Sequence, residues 1–284
     1  MAFWTYSGLK FGIKSVKFPE KNDFYDGFIA SVKMDAQRCL NQKDSAEKCR
    51  ECEIICPTNA IGLDNLFKEE SGGSKDKYEG INTERCIFCG LCIDVCRDVA
   101  GSGGIGAINY TADLDFDAFL SSASLPLREG RVEGGIKKKI FKKSLFVKHI
   151  DTGSCGACES EINALNNPYY NMHRLGIFIT PSPRFADVLL ATGTFTEQMS
   201  EVFFNVLDNI PKPRFIILAG SCTLFGGIFE TKEAKEIGFN IGLLNSLETK
   251  EIFRNENIIV VPHCPPNPFE ILNVLLLIKN GELK

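Results

Sequence analysis

Cysteine offers the most chemistry in this chain, which has 12 cysteines among 284 residues. Disulfides are rare in a reducing cytosol, so metal ligation or catalysis is the better first hypothesis for so many thiols. Cubane iron-sulfur clusters and structural zinc sites each take four ligands. The count is therefore compatible with three complete four-ligand sites.

The clearest spacing is Cys-x2-Cys-x2-Cys-x3-Cys, formed by Cys86, Cys89, Cys92 and Cys96. In this pattern three cysteines on one tight loop hold a [4Fe-4S] cluster, and the fourth reaches across to a second cluster. A zinc ribbon made of two CxxC pairs is the alternative, but it would leave half of the cysteines in this region unused. The spacing predicts a pair of cubane clusters.

An internal repeat supplies the ligands of the other cluster. Three cysteines of the first copy align with Cys89, Cys92 and Cys96, namely Cys49, Cys52 and Cys56. Ala46 stands where the remaining cysteine belongs, but Cys39 in DAQRC aligns with Cys86 in NTERC. The repeat assigns one cluster to Cys39, Cys49, Cys52 and Cys96, and the other to Cys86, Cys89, Cys92 and Cys56. A first cluster without Cys39, incomplete or with three irons, remains an open alternative.

The last four cysteines follow apolar, strand-like runs; they are Cys155, Cys158, Cys222 and Cys264. The runs span residues 144–150, 176–180, 186–193, 214–221 and 258–264. Helical stretches follow several runs, which predicts a parallel α/β sheet covered on both faces. The carboxyl ends of parallel strands meet at one edge, so these cysteines are expected to form one site there. Four separate core cysteines are the alternative, but glycine-rich turns and HCPPNP are loop contexts.

Composition limits the remaining possibilities. Formal charge is only -4, which gives no reason to expect nucleic acid as a partner. The longest apolar stretch, near residues 271–278, is too short to cross a bilayer, and the start lacks signal-peptide features. We therefore expect a cytoplasmic chain. Its predicted divisions are an N-terminal amphipathic segment with a two-cluster domain at 1–120, a linker at 121–143 and a third-cluster domain at 144–284.

Two lysine-bearing segments have more than one interpretation. The linker contains a lysine run that is either a solvated face or a contact for an acidic partner or lipid headgroups. The stretch FWTYSGLKFGIKSVKF mixes aromatic residues with Lys10, Lys14 and Lys17 and has no acidic residue. This composition suits a helix lying at a membrane interface, and a helix packed on its own domain is the alternative.

The motifs DTGSCGACESEI, PSPRFADVLLATG, AGSCTLFGGIF and PHCPPNPFEIL lie within residues 144–282. This part resembles the small subunit of group 4 membrane-bound, energy-converting [NiFe] hydrogenases, which are related to respiratory complex I. Residues 1–110 resemble the ferredoxin-like subunit of the same assemblies. The resemblance implies a fusion of an α+β ferredoxin-like 2[4Fe-4S] domain with an α/β flavodoxin-like parallel-sheet domain.

The resemblance also implies a function. It predicts an oxidoreductase subunit with three [4Fe-4S] clusters that carries electrons between soluble ferredoxin and a [NiFe] site in a partner large subunit. Proton reduction or hydrogen oxidation would be coupled to ion translocation by membrane subunits of a complex I-like arm. The chain would be peripheral, on the cytoplasmic side of the cell membrane. A nickel-free quinone, sulfur or polysulfide reductase of complex I-like build is the alternative within this class; a zinc scaffold or a free-standing ferredoxin carrier is the alternative outside it.

Individual residues refine this expectation. Complex I proteins have two adjacent cysteines in the first motif of the second half, whereas Gly156 and Ala157 separate them here, which favours a hydrogenase. Glu159 adjoins the predicted third cluster and is a candidate proton relay, although a negative charge at a helix N-terminus is an equally simple role. His263 stands where the family usually has glycine; it either donates to a cluster sulfur or is an ordinary loop histidine.

Overall fold

The computed structural model of this chain describes residues 3–12, 16–20, 27–40, 49–63, 80–101, 106–112, 144–230, 242 and 256–281. The predicted linker at 121–143 lies outside these residues. The α-helices are α1 (Phe3–Phe11), α2 (Glu51–Ile55), α3 (Leu91–Ala100), α4 (Ala157–Ala164), α5 (Glu197–Asp208), α6 (Ser221–Phe225) and α7 (Pro268–Asn280). The strands are β1 (Ser31–Met34), β2 (Ile108–Thr111), β3 (Leu145–Asp151), β4 (Ile177–Ile179), β5 (Val188–Thr192), β6 (Phe215–Ala219) and β7 (Asn257–Val261).

The first half folds around a small antiparallel sheet. β1 pairs with β2, with Ser31 opposite Thr111 and Met34 opposite Ile108. Alternation along β1 buries Val32 and Met34, which join a small core shared with the α2 and α3 regions. This arrangement confirms the predicted α+β fold. Because the core is small, metal ligation is expected to contribute much of the folding free energy of this half.

The second half contains a five-stranded parallel sheet in the order β4-β3-β5-β6-β7. Each apolar run of the sequence forms one of these strands. Successive residues of a strand point to opposite faces, so Leu190 and Ile217 enter one core whereas Leu189 and Ile216 enter the other. α4 and α7 pack on the first face and α5 on the second. The order corresponds to 2-1-3-4-5, which confirms the flavodoxin-like prediction.

Local sequence signals fix the start and end of α7. The Asn267 side chain accepts a hydrogen bond from Phe269 N at 2.9 Å, and Glu270 accepts one from Asn267 N at 3.2 Å. This capping box, with Pro268 in the first turn, starts the helix. Gly281 ends it in a left-handed conformation, with φ 70°. The cap matters for function because the turn containing Cys264 immediately precedes it.

Arg214 joins α5, β6 and β7. Its guanidinium donates to the carboxylate of Glu256 at 2.7 and 3.1 Å and to the carbonyl oxygens of Leu207 and Ile210 near the end of α5. Both side chains of the ion pair are almost completely buried. Burial disfavours the charged form of Glu256, but Arg214 and Lys212 outweigh it and hold the pKa of this carboxyl below its usual range. The pair therefore remains ionised near neutral pH.

The N-terminal segment also contributes to the second half. Val16 and Phe18 are buried in the same core as α7, and Phe18 packs 5.2 Å from Phe269 between ring centroids. Arg174 donates to the carbonyl oxygens of Val16 and Phe18, both at 2.6 Å. Val16 and Phe18 are thus core residues of the α/β unit, whereas the side chain of Lys17 between them is exposed.

The first helix is shorter than the aromatic stretch from which it was predicted. α1 ends at Phe11, and the side chains of Tyr6, Leu9 and Phe11 are 58%, 76% and 57% exposed. In the described part of the chain, no helix combines the length and apolarity needed to span a bilayer. Exposed apolar side chains are what an interfacial helix requires, so an interfacial role of residues 3–11 stays a prediction.

Candidate metal centres

The first group of thiols surrounds a cavity of about 50 Å³ in the first half. Its lining includes the four cysteines that the repeat assigns to one cluster, Cys39, Cys49, Cys52 and Cys96. Cys39 follows β1, Cys52 lies in the first turn of α2, and Cys96 comes from α3. Burial, and then repulsion from the other three sulfurs in their thiolate form, raise the pKa of Cys52 to about 12. The structure therefore brings this predicted set together.

A second group forms where the two copies of the repeat meet. It consists of Cys56, Cys86, Cys89 and Cys92. Burial, and then the charges of Cys86, Cys89 and Cys56, raise the pKa of Cys92 to about 12. Gly90, with φ 79°, allows the tight turn before α3, and a Cβ there would lie 2.7 Å from the Tyr110 hydroxyl. The predicted second set is also brought together.

Matching backbone amides approach one sulfur in each copy of the repeat. Ala60 N donates to Cys56 Sγ at 3.2 Å, and Ala107 N donates to Cys96 Sγ, also at 3.2 Å. These pairs are equivalent in the sequence repeat. Amide hydrogen bonds stabilise negative charge on sulfur and tune the potential of an iron-sulfur cluster. The duplication therefore extends from the cysteines to the groups that support them.

The third group lies at the carboxyl edge of the parallel sheet. Cys155 and Cys158 follow β3, Cys222 lies in α6 after β6, and Cys264 follows β7. Burial, and then the charges of Cys264 and Cys155, raise the pKa of Cys158 to about 12. A hydrogen bond between Cys222 and Cys264 raises the pKa of the first thiol and lowers that of the second to about 7. Loops from three strands thus meet as expected.

Two glycines make room for the sulfurs of this third group. A Cβ on Gly220 would lie 2.9 Å from Cys158 Sγ, and one on Gly227 would lie 2.7 Å from Cys222 Sγ. Both residues have left-handed backbone, with φ 98° and 54°. Any larger residue would meet both steric overlap and backbone strain. The chain around the third group is therefore shaped to accommodate sulfur.

The three groups follow one another in space. The first and second groups share α3, which carries Cys96 of the first and Cys92 of the second, and the rings of Phe88 and His263, beside Cys89 and Cys264, lie 4.4 Å apart between the second and third. The hydroxyl of Ser221 also donates to the carbonyl oxygen of Cys86 at 3.3 Å. The second group therefore lies between the other two.

The donor sets fit [4Fe-4S] clusters. Four neighbouring sulfurs would repel one another as thiolates, and a bound cationic centre offsets that repulsion and favours the deprotonated form that ligates metal. Among the described residues, no group of three or more His, Cys, Asp or Glu side chains forms a site for a single metal ion. Sets of four sulfur donors suit a polynuclear iron-sulfur cluster. Such clusters supply one-electron transfer.

Contacts between the two halves include residues that the sequence did not single out. Arg85 donates to Glu230 at 2.9 Å and lies over the ring of Phe225, 4.6 Å from its centroid. The ring centroids of Phe88 and His263 are 4.4 Å apart. Arg85 and Phe88 flank cysteines of the repeat, but their spacing carries no signal for a partner in the distant second half. In the sequence, only their position next to a cysteine indicated that Arg85 and Phe88 could have a role at the metal centres.

Glu159 lies in the first turn of α4, directly after Cys158. The helix begins after Gly156, whose backbone is left-handed with φ 85°. A carboxylate in a first turn is stabilised by the helix dipole, so this geometry is compatible with both roles considered for Glu159. Glu161, two residues further along the chain, has a raised pKa because it is partly buried.

Known protein families match both halves. Residues 155–278 match the family of the NADH ubiquinone oxidoreductase 20 kDa subunit, and residues 47–98 match a 4Fe-4S dicluster domain. With the grouped thiols, these matches define the class of protein: an electron-transfer subunit of an oxidoreductase that binds iron-sulfur clusters.

Individual proteins are similar to about half of this chain. The uncharacterized protein MJ0516 of Methanocaldococcus jannaschii is 35% identical over 140 residues, which cover 49% of this chain and 86% of the relative. The probable membrane-bound hydrogenase subunit mbhJ of Pyrococcus furiosus is 34% identical over 139 residues, 49% of this chain and 76% of the relative. A solved chain of the archaeal membrane-bound sulfane sulfur reductase is 25% identical, with TM-score 0.37, and covers 50% of this chain and 73% of that one. The chain belongs to the NADH ubiquinone oxidoreductase 20 kDa subunit family, joined here to a dicluster domain.

Proposed function

We propose that this chain carries electrons between soluble ferredoxin and a [NiFe] site in a partner large subunit. The reaction served is proton reduction or hydrogen oxidation coupled to ion translocation. The observation that carries this proposal is the serial arrangement of three four-thiol groups: α3 contributes Cys96 to the first and Cys92 to the second, and the Phe88–His263 and Ser221–Cys86 contacts join the second to the third. Three redox centres in series form a path along which single electrons can cross the chain.

The proposed ligand sets follow these groups. Cluster 1 binds Cys39, Cys49, Cys52 and Cys96; cluster 2 binds Cys56, Cys86, Cys89 and Cys92; cluster 3 binds Cys155, Cys158, Cys222 and Cys264. The chain positions these thiolates, buries them and directs the amides of Ala60 and Ala107 at two sulfurs. These are the properties by which a protein sets cluster potential.

The partners are proposed from the resemblance and from the relatives. Ile228 and Phe229, which follow the helix containing Cys222, are 53% and 43% exposed. Apolar side chains beside the third group suit cover by a large subunit. Membrane subunits of a complex I-like arm would hold the assembly at the cytoplasmic side of the cell membrane, with this chain peripheral.

The choice of a [NiFe] partner rests on the CxxC formed by Cys155 and Cys158. Adjacent cysteines can both bind one cluster only with a strained backbone, whereas CxxC lets a turn present both sulfurs. The alternative is a complex I-like quinone, sulfur or polysulfide reductase without nickel. The family matched by the second half is named for a ubiquinone oxidoreductase subunit, and this observation favours the second candidate.

Metal and product analysis of the purified complex tests the proposal. Acid-labile sulfide should approach about twelve per chain, since three cubanes hold four each, and iron should exceed it by the single iron of a [NiFe] site. With reduced ferredoxin, the complex should contain nickel and produce hydrogen. Full iron with no nickel and activity only toward quinone or polysulfide would support the second candidate. Iron nearer about eight per chain would contradict the Cys39 assignment or the third site.

A further inference from the structure

Phe88 and His263 meet where the second and third groups of cysteines approach each other. Phe88 lies between Cys86 and Cys89, and His263 immediately precedes Cys264. Their ring centroids are 4.4 Å apart, with 32° between the ring planes. The two rings therefore join the turns that present ligands from different halves of the chain.

Both rings are held by backbone that non-glycine residues seldom adopt. Phe88 has φ 54° and His263 has φ 78°. Positive φ is uncommon outside glycine, and it persists only where surrounding contacts outweigh the strain. At residue 263 a glycine would meet no such strain, yet the chain places a ring there.

A buried carboxylate fixes the imidazole through one of its ring nitrogens. His263 Nδ1 lies 3.2 Å from Glu270 Oε2, and both side chains are completely or almost completely buried. The same oxygen of Glu270 accepts from Asn267 N at the start of α7. The orientation of the His263 ring is thus linked to the cap of a buried helix, which makes it a rigid support for Phe88.

Two other contacts hold the start of the Cys86–Cys89 turn against the second half of the chain. Arg85 pairs with Glu230, and Ser221 donates to the carbonyl oxygen of Cys86. Neither contact involves a side chain between two ligand cysteines. The Phe88 ring, by contrast, projects from the Cys86–Cys89 turn itself. Its position therefore directly affects how closely the second group can approach the third.

We propose that His263 is a positioning residue that, by stacking on Phe88, sets the separation between the second and third metal centres. This inference rests on the proposed function, because it requires both centres to be present. Its measurable consequence is the magnetic interaction between the two centres when both are paramagnetic, since that interaction depends steeply on their separation.

Electron paramagnetic resonance of the chemically reduced, purified complex tests this role. His263→Asn tolerates left-handed backbone and retains polar atoms but lacks the ring, whereas Phe88→Leu retains apolar bulk without an aromatic face. Each variant should keep its iron and the individual signals but lose most of the splitting between centres two and three. Phe88→Tyr, which keeps the ring, should retain the wild-type splitting.

Phe178→Leu provides the matched control. Phe178 stacks on His173 with centroids 5.3 Å apart, but neither residue belongs to a cysteine-bearing turn. This variant should leave the splitting unchanged. The double variant at Phe88 and His263 should resemble either single variant, because both remove the same contact.

Three results would overturn the inference: wild-type splitting in both ring variants, additive losses in the double variant, or no splitting in a wild-type complex that contains both centres. If His263→Asn fails to fold, Phe88→Leu and Phe88→Tyr still decide the question. A wild-type complex without the iron-sulfur centres would instead contradict the proposed function.

Discussion

At Gly227 the backbone passes so close to Cys222 that one added methyl group is expected to disturb the third centre. Gly227→Ala would place Cβ 2.7 Å from Cys222 Sγ at a residue with φ 54°. The strain alone costs about 1–2 kcal/mol, and the overlap must move the sulfur. Iron per chain should fall by about a third, the share of one cubane among three. Iron analysis and the signal of the third centre check this expectation.

The control for that variant is Gly101→Ala. Gly101 also has left-handed backbone, with φ 85°, but no atom lies within 4 Å of a Cβ built there. It carries backbone strain without overlap, so stability should fall while iron stays complete. Equal iron loss in both variants would show that strain, not contact with sulfur, governs occupancy.

Substitution of Glu159 tests whether its carboxylate transfers protons or only provides a negative charge at the start of α4. Glu159→Gln should slow hydrogen production with reduced ferredoxin by at least about tenfold if the carboxylate relays protons. The cluster signals should remain unchanged. Glu197→Gln, in the first turn of α5, removes an equivalent helix-start charge and should leave turnover intact. Unchanged turnover in Glu159→Gln would leave only the dipole role.

Among the elements, α1 has large apolar side chains that are mostly exposed to solvent. Deleting residues 3–11 removes its exposed apolar side chains and should weaken the attachment of this chain to the membrane and its membrane subunits, so that more of it is recovered in the soluble fraction with full iron. Sedimentation with membranes and iron analysis measure both outcomes. Extending the deletion through Phe18 should instead destabilise the α/β unit, because Val16 and Phe18 belong to its core. An unchanged soluble fraction of this chain after the shorter deletion would contradict an interfacial role.

The Arg214–Glu256 pair determines how firmly α5, β6 and β7 are joined. Glu256→Gln leaves a buried guanidinium without its charge partner and should lower the free energy of unfolding by about 3 kcal/mol. Because the pKa of Glu256 is depressed, its contribution is present above the ordinary carboxyl range and is lost only as pH falls through the lower folded value. The difference between wild type and variant should therefore stay constant from about pH 6 to 8. Denaturant unfolding measures it, with the exposed Glu201→Gln as control.

In the whole molecule, the two halves are expected to respond differently to loss of iron. The first half has a small core, whereas the second has apolar clusters on both faces of its sheet. Chelation should therefore remove hydrogen-exchange protection from β1 and β2 while β5 and β6 remain protected. Simultaneous loss of protection in all four strands would show that the halves unfold as one cooperative unit.

The sequence by itself determined the features that depend on local spacing and periodicity. The cysteine repeat predicted which thiols belong together, and the apolar runs predicted the five parallel strands. Tertiary structure alone decided how the halves meet: Phe88 on His263, Arg85 beside Glu230, and Phe18 inside the distant α/β core. These contacts join residues far apart in the chain and of types that also occur at many ordinary positions. Their partners are selected by packing and by the free energy of the whole fold, which no local pattern encodes.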